Sequence, residues 1–264
     1  VKYLTLKKYT TFKIAKKKSD YNINLLNFKK LNKLFLKYNF DIVINCAAKV
    51  SIDYCENNYQ EALNINYRLV NFLAKLSNKF KFRFVQISTD HVYKGKKNLL
   101  NTEKSKIYGS NKYSLTKIRA EKAMKKIKNS VIVRTNFTGK KKNSYFDWLI
   151  NNIKNKRKID LFNDMYTSTL DVDTCSKTII KLSLTNLQGI YNIGTKDMLS
   201  KKEFAIKLAQ ILKKPINYQT VSCDTLKVKR GKNLGLDVSK IEKKLKIKMI
   251  NSSLAIKNLI KEYK

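Results

Sequence analysis

Three short apolar runs set the fold before anything else does. Residues 41–46 (Asp-Ile-Val-Ile-Asn-Cys), 82–87 (Phe-Arg-Phe-Val-Gln-Ile) and 131–134 (Val-Ile-Val-Arg) have the length of strands. They are apolar at most positions, as strands buried on both faces are. Amphipathic stretches separate them: residues 28–37, residues 59–76 with Leu63, Tyr67, Val70, Leu73 and Ala74 at helical spacing, and residues 111–127. This alternation predicts a doubly wound α/β fold, a parallel sheet with helices on its faces.

Past Gly139 the elements shorten. Helices are expected over 144–153, 171–182 and 200–212, the last with Ser200 as cap and Glu203 at its third position. A strand is expected at 189–193, and Pro215 is expected to open a short strand reaching Tyr218. The division that follows is a main domain over residues 1–139 and a smaller lobe over 140–264. The chain would return from that lobe to the main domain at about 171–183.

Composition narrows the partners. A 264-residue chain that is 43% hydrophobic can bury a sizeable core. No apolar run approaches the roughly 20 residues of a membrane span, and no secretory leader opens the sequence. Cys46, Cys55, Cys175 and Cys223 lack C-x-x-C spacing, and His91 is the sole histidine. The reading is a reduced, cytoplasmic compartment with no metal site, and Cys46 as a small core residue. The net charge of +38 suits nucleic acid, an anionic membrane or a phosphate-bearing ligand. The lysines are spread along the chain, however, without the aromatic interleaving of an RNA-recognition module. With one Pro, seven Gly and abundant Asn and Ile, the charge reads as drift toward AT-rich codons, and neither nucleic acid nor membrane is the expected partner.

The chemistry is written around residue 113. Tyr113 and Lys117 stand four residues apart, a spacing that places a phenol and an ammonium on one helix face. The strand before them ends in Ser88-Thr89-Asp90. A free phenol has a pKa of about 10, and a neighbouring ammonium is expected to lower it. Phenol, ammonium and hydroxyl together suit carbonyl reduction or alcohol oxidation. The spacing alone is weak in so Tyr- and Lys-rich a chain, and it recurs at Tyr108 and Lys112.

Longer motifs decide between the two tyrosines. Ser88-Thr89-Asp90-His91-Val92-Tyr93-Lys94-Gly95 resembles the S-T-D-x-V-[FY]-x-G turn of the extended short-chain dehydrogenase/reductases, in their dTDP-4-dehydrorhamnose reductase-like branch. Residues 113–122 resemble that branch's Y-G-x-[ST]-K-L-x-G-E segment, with Glu121 in register. Residues 230–240, from Arg230-Gly231 to Ser239-Lys240, resemble its R-P-x-[ND]-x-x-L-[DN]-x-x-K tail. The resemblance runs over nearly the whole chain and selects Tyr113.

It implies a Rossmann-type domain with a small substrate lobe, NADPH or NADH as cofactor and a nucleotide diphosphate sugar as substrate. It implies reduction of a 4-keto-deoxysugar, with Tyr113 giving the proton, Thr89 bonding the same oxygen and Lys117 lowering the phenol's pKa while holding the nicotinamide ribose. Asn45, Ala47, Ala48, Ser88 and Thr135 fall where the cofactor runs over strand ends. Lys16, after the second strand, would meet an adenosine 2′-phosphate and so favours NADPH. Asp90, His91 and Arg230 fall on the substrate side, Arg230 at the diphosphate. A homodimer is compatible with this reading. Epimerase chemistry uses the same Tyr and Lys and stays open, as does a non-catalytic regulatory subunit. Dehydratase chemistry lacks its carboxylate, because His91 follows Asp90.

One departure is large. The family's opening strand and G-x-x-G-x-x-G turn have no counterpart, since the first glycine is Gly95. The sequence therefore reads as N-terminally incomplete, with residues 1–9 as the tail of a first helix and 11–15 as the second strand. The expectation is a sheet without its central strand, leaving 11–15 and 82–87 without a shared neighbour or against each other.

Overall fold

The computed structural model describes Leu4 and residues 9–96, 98–139 and 144–263. The expected helix over 1–9 lies almost entirely outside the described residues. The main sheet is four-stranded and parallel throughout, in the order Gly189–Ile193, Ser130–Thr135, Arg83–Ile87, Ile42–Asn45. Ile14–Ala15 pairs in parallel with Tyr21–Asn22 as a separate two-stranded sheet. The strand at 83–87 is thus flanked on both sides, contrary to the expected gap beside it. The side without a strand partner, among the described residues, is that of Ile42–Asn45. This is why that run is only half-buried until Asn45.

Helices cover both faces, held in place by local sequence. Asn27 caps Phe28–Lys37 by accepting from the Lys30 amide, and Leu31, Leu34 and Phe35 form its buried stripe. With Leu69–Phe80 and Lys112–Met124, this helix builds one core around Phe82, Phe84 and Ile132. The other face packs Val172–Ser183 and Ser239–Leu245 against Val85, Val131, Val133 and Ile193. The chain therefore returns to the main sheet through 170–193 and again through 236–250. A third core joins Tyr145–Lys154, Lys201–Leu212 and residues of Ser252–Tyr263 around Phe146, Leu161 and Phe204.

Two elements differ from the sequence reading. The helix expected over 59–76 is three pieces, Tyr59–Leu63, a π-helical Asn64–Arg68 and Leu69–Phe80. The π turn sets the fully buried Asn66 against the Lys49 backbone and the Thr116 hydroxyl. The strand expected at 215–218 is instead Tyr218–Val221, paired in parallel with Ile159–Phe162. Pro215 has no N–H to give a ladder, and the pairing begins after it.

Candidate functional site

The site lies at the C-terminal ends of the main strands, where ligands bind in open α/β sheets. Tyr113 and Lys117 are carried there by Lys112–Met124. Its start is fixed by a reciprocal cap: the Asn111 side chain accepts from the Ser114 amide, and the Ser114 hydroxyl accepts from the Asn111 amide. At its far end Glu121 meets Arg134 in a buried ion pair of 2.6 Å. Burial works against the Arg134 charge, but hydrogen bonding and attraction to Glu121 raise its pKa on balance. The arginine also donates to the Tyr93 hydroxyl at 3.0 Å. The catalytic-type helix is thereby tied to the strand below it and to the turn after Thr89.

Thr89, Tyr113 and Lys117 come together, all buried. Burial pushes the Tyr113 phenol up, and the hydrogen-bonding Thr89 side chain only partly offsets this. The expected lowering by Lys117 does not figure among the influences on the phenol, and the Lys117 ammonium donates to the Ile87 carbonyl at 2.6 Å. Burial also lowers Lys117, to about 8, against the pull of Glu121, Cys46 and Cys55. Desolvation outweighs pairing at both groups, so the phenol keeps its proton at neutral pH.

The remaining expected residues divide in two. His91 stands edge-on to Tyr113 with ring centroids 6.0 Å apart, and its buried Nδ1 has no hydrogen-bond partner among the described residues. Asp90 is held on one oxygen by the Thr89 hydroxyl (3.1 Å) and on the other by Asn136 (2.7 Å). Arg230 reaches Asp53 with one terminal nitrogen at 3.2 Å, while its Nε is buried and unpartnered. Asn45 donates to Gln86 and accepts from the Ala47 amide, shaping the strand end with half-buried Ala47 and Ala48. Other side chains are engaged elsewhere. The Ser88 hydroxyl donates to Glu121 at 2.6 Å, Thr135 lies against the Cys175 sulfur, and Lys16 is exposed beyond Ala15. Cys46 is exposed rather than in the core, since it lies just past the end of the strand Ile42–Asn45.

The nicotinamide end of a dinucleotide fits these residues. A lysine ammonium has three donors, and Lys117 is seen to commit one to protein, leaving others for ribose hydroxyls. No glycine-rich turn for a pyrophosphate stands among residues 1–94.

Sequence reasoning missed Lys201, Asn136, Tyr145 and Asn66. Lys201 opens the helix Lys201–Leu212, with Ser200 and Glu203 forming the cap box as expected. Its ammonium lies 4.8 Å from the Tyr145 ring centre and donates to the Thr167 hydroxyl at 3.3 Å. Glycine explains how the tail reaches the turn. Gly95 has φ +72°, and a Cβ there would sit 2.0 Å from the Asn233 carbonyl oxygen. Only glycine lets the Thr89 turn and the Arg230 segment touch.

The chain matches the model of the RmlD substrate binding domain over residues 5–264. It is 21% identical over 199 residues to a probable low-salt glycan biosynthesis reductase of Haloferax volcanii, covering 73% of this chain and 66% of that protein. It is 26% identical over 235 residues to the dTDP-4-dehydrorhamnose reductase of Aggregatibacter actinomycetemcomitans, covering 83% and 80%. Among solved structures, dTDP-4-dehydrorhamnose reductase from Bacillus anthracis, in complex with NADP, superposes with a TM-score of 0.86 at 24% identity, over 91% of this chain and 87% of that one. The fold is accordingly the Rossmann type of these reductases, and the chain belongs to the RmlD substrate binding domain family.

Proposed function

We propose that the protein reduces the keto group of a nucleotide-linked 4-keto-deoxysugar, with NADPH or NADH as the reductant. The observation that carries this reading is the buried Tyr113 phenol, kept protonated by its surroundings and set beside the Thr89 hydroxyl. A group that holds its proton at neutral pH is a donor, which is what a carbonyl oxygen needs as it becomes an alcohol. The dinucleotide, when bound, supplies the hydride. Tyr113 gives its proton to the sugar oxygen, Thr89 orients that oxygen, and Lys117 holds ribose hydroxyls from its anchor on Ile87. Asp90, fixed by Thr89 and Asn136, keeps the turn in place. The sugar nucleotide lies toward His91 and Arg230, with residues 140–264 contributing the lobe that covers it.

Tyr113→Phe tests the assignment. Turnover of NADPH with dTDP-4-dehydrorhamnose is expected to fall by about 10²-fold or more, the scale of general-acid catalysis, with sugar-nucleotide binding retained. Unchanged turnover removes Tyr113 from the reaction.

A further inference from the structure

Lys201 is a half-buried lysine that the reaction leaves unused. Among the described residues no carboxylate lies within 4.0 Å of it, and uncompensated interior charge is costly. It is held by a directed chain of hydrogen bonds. Lys201 donates to Thr167 at 3.3 Å, the Thr167 and Thr169 hydroxyls lie 2.9 Å apart, Thr169 donates to Asn136 at 3.0 Å, and Asn136 donates to Asp90 at 2.7 Å. Thr167, Thr169 and Asp90 are all buried. The chain fixes the ammonium relative to the Thr89 turn and spends one of its donors.

Its surroundings are short of a partner. The buried polar atoms that lack one include His91 Nδ1 and Arg230 Nε. His91, Arg230 and Lys201 are near enough to influence one another's charge, and Asp90 favours the ammonium. Burial, the larger effect, lowers Lys201 to about 8 and leaves it mostly charged at neutral pH. Two cations from different parts of the chain thus lie close enough to act on one another, and among the described residues only Arg230 of the two has a carboxylate within 4.0 Å, the exposed Asp53. Charge of this sign and spacing calls for a multivalent oxyanion with several acceptor oxygens.

We propose that Lys201 is a substrate-binding residue that, together with Arg230, holds the diphosphate of the sugar nucleotide. This deepens the reading above and rests on it. Lys201 approaches from the start of the helix Lys201–Leu212 and Arg230 from the tail segment, so the diphosphate joins these two segments over the Thr89 turn.

Calorimetric titration of the full protein with dTDP, UDP and thymidine tests it in wild type, Lys201→Met, Lys201→Arg and Arg230→Ala, each checked for cooperative unfolding. Lys201→Met is expected to weaken binding of whichever diphosphate the wild type prefers by about tenfold or more, the effect of losing a charge-assisted hydrogen bond. Lys201→Arg should stay within about threefold of wild type, because charge and donors remain. Thymidine, lacking phosphate, should not respond. Wild-type affinity in Lys201→Met alongside weakened binding in Arg230→Ala overturns the Lys201 assignment and leaves the sugar-nucleotide reading standing. Equal weakening of dTDP and thymidine makes Lys201 a support of the fold and also overturns it. A wild type that binds neither diphosphate overturns both readings.

Discussion

Tyr113 and Lys117 show how far a pair of residues can be read from spacing alone. The four-residue interval placed them on one helix face, but it carried no information on solvent. Burial moves both groups toward their neutral forms, the phenol by keeping its proton and the ammonium by losing one near pH 8. The alkaline limb of activity follows. Reductive kcat/KM, which reports the free enzyme, is expected to fall as pH rises through about 8, where the Lys117 ammonium is lost. Stability moves the other way for this residue. Its folded value lies below the ordinary lysine value of 10.5, so between those values the unfolded chain binds more protons and this residue's contribution grows with pH. A kcat/KM profile flat to pH 10 overturns the assignment of Lys117. Lys201 stayed illegible for the opposite reason. It is one lysine in a Ser-Lys-Lys-Glu cap, and only its tertiary contacts with Thr167 and Tyr145 distinguish it from the lysine beside it.

Between elements, the pair that matters most is Glu121 and Arg134, which fasten the helix Lys112–Met124 to the strand Ser130–Thr135. The sequence showed Glu121 as part of a motif and Arg134 as the end of a strand, without saying that they meet. Removing one member leaves the other charged, buried and unpaired, which costs about 3–5 kcal/mol. Glu121→Gln is expected to lose most of that in a urea titration. It also removes the ionised acceptor of the Ser88 hydroxyl, so turnover should fall with stability. A loss below about 1 kcal/mol would show that the pair is solvated. The strands of the main sheet were legible as short, nearly continuous apolar runs, and most helices as regular apolar periods between them. Ile159–Phe162, with an aspartate in four residues, and the π turn at Asn64–Arg68 were not, since both depend on partners distant in sequence.

For the molecule as a whole, charge is the property the fold does least to balance. A net +38 is distributed over the surface with few carboxylates to answer it, so the compact state works against its own repulsion. Raising ionic strength from low salt to about 0.5 M shortens the Debye length to a few ångströms. The melting temperature is expected to rise by several degrees over that range, as scanning calorimetry would record. A falling or constant value would mean that paired charges dominate. The alternation of strands and helices was visible in the apolar runs, whereas the contacts that join distant segments were not. The Ser168 hydroxyl, for example, donates to the Asp197 carbonyl and accepts from the Leu236 amide, bonds between distant segments that no periodicity records.

The contact of Gly95 with the Asn233 carbonyl has a bearing on heredity as well as on shape. A side chain at position 95 must push the tail away, carrying Arg230 with it, while the helix Lys112–Met124 stays intact. In a growth-based mutational scan, substitutions at 95 should therefore cluster with those at Arg230 and be rescued by higher substrate supply. Alleles at Glu121, by contrast, should respond to lower temperature. Two positions on one stretch of fold would then be inherited as different kinds of defect.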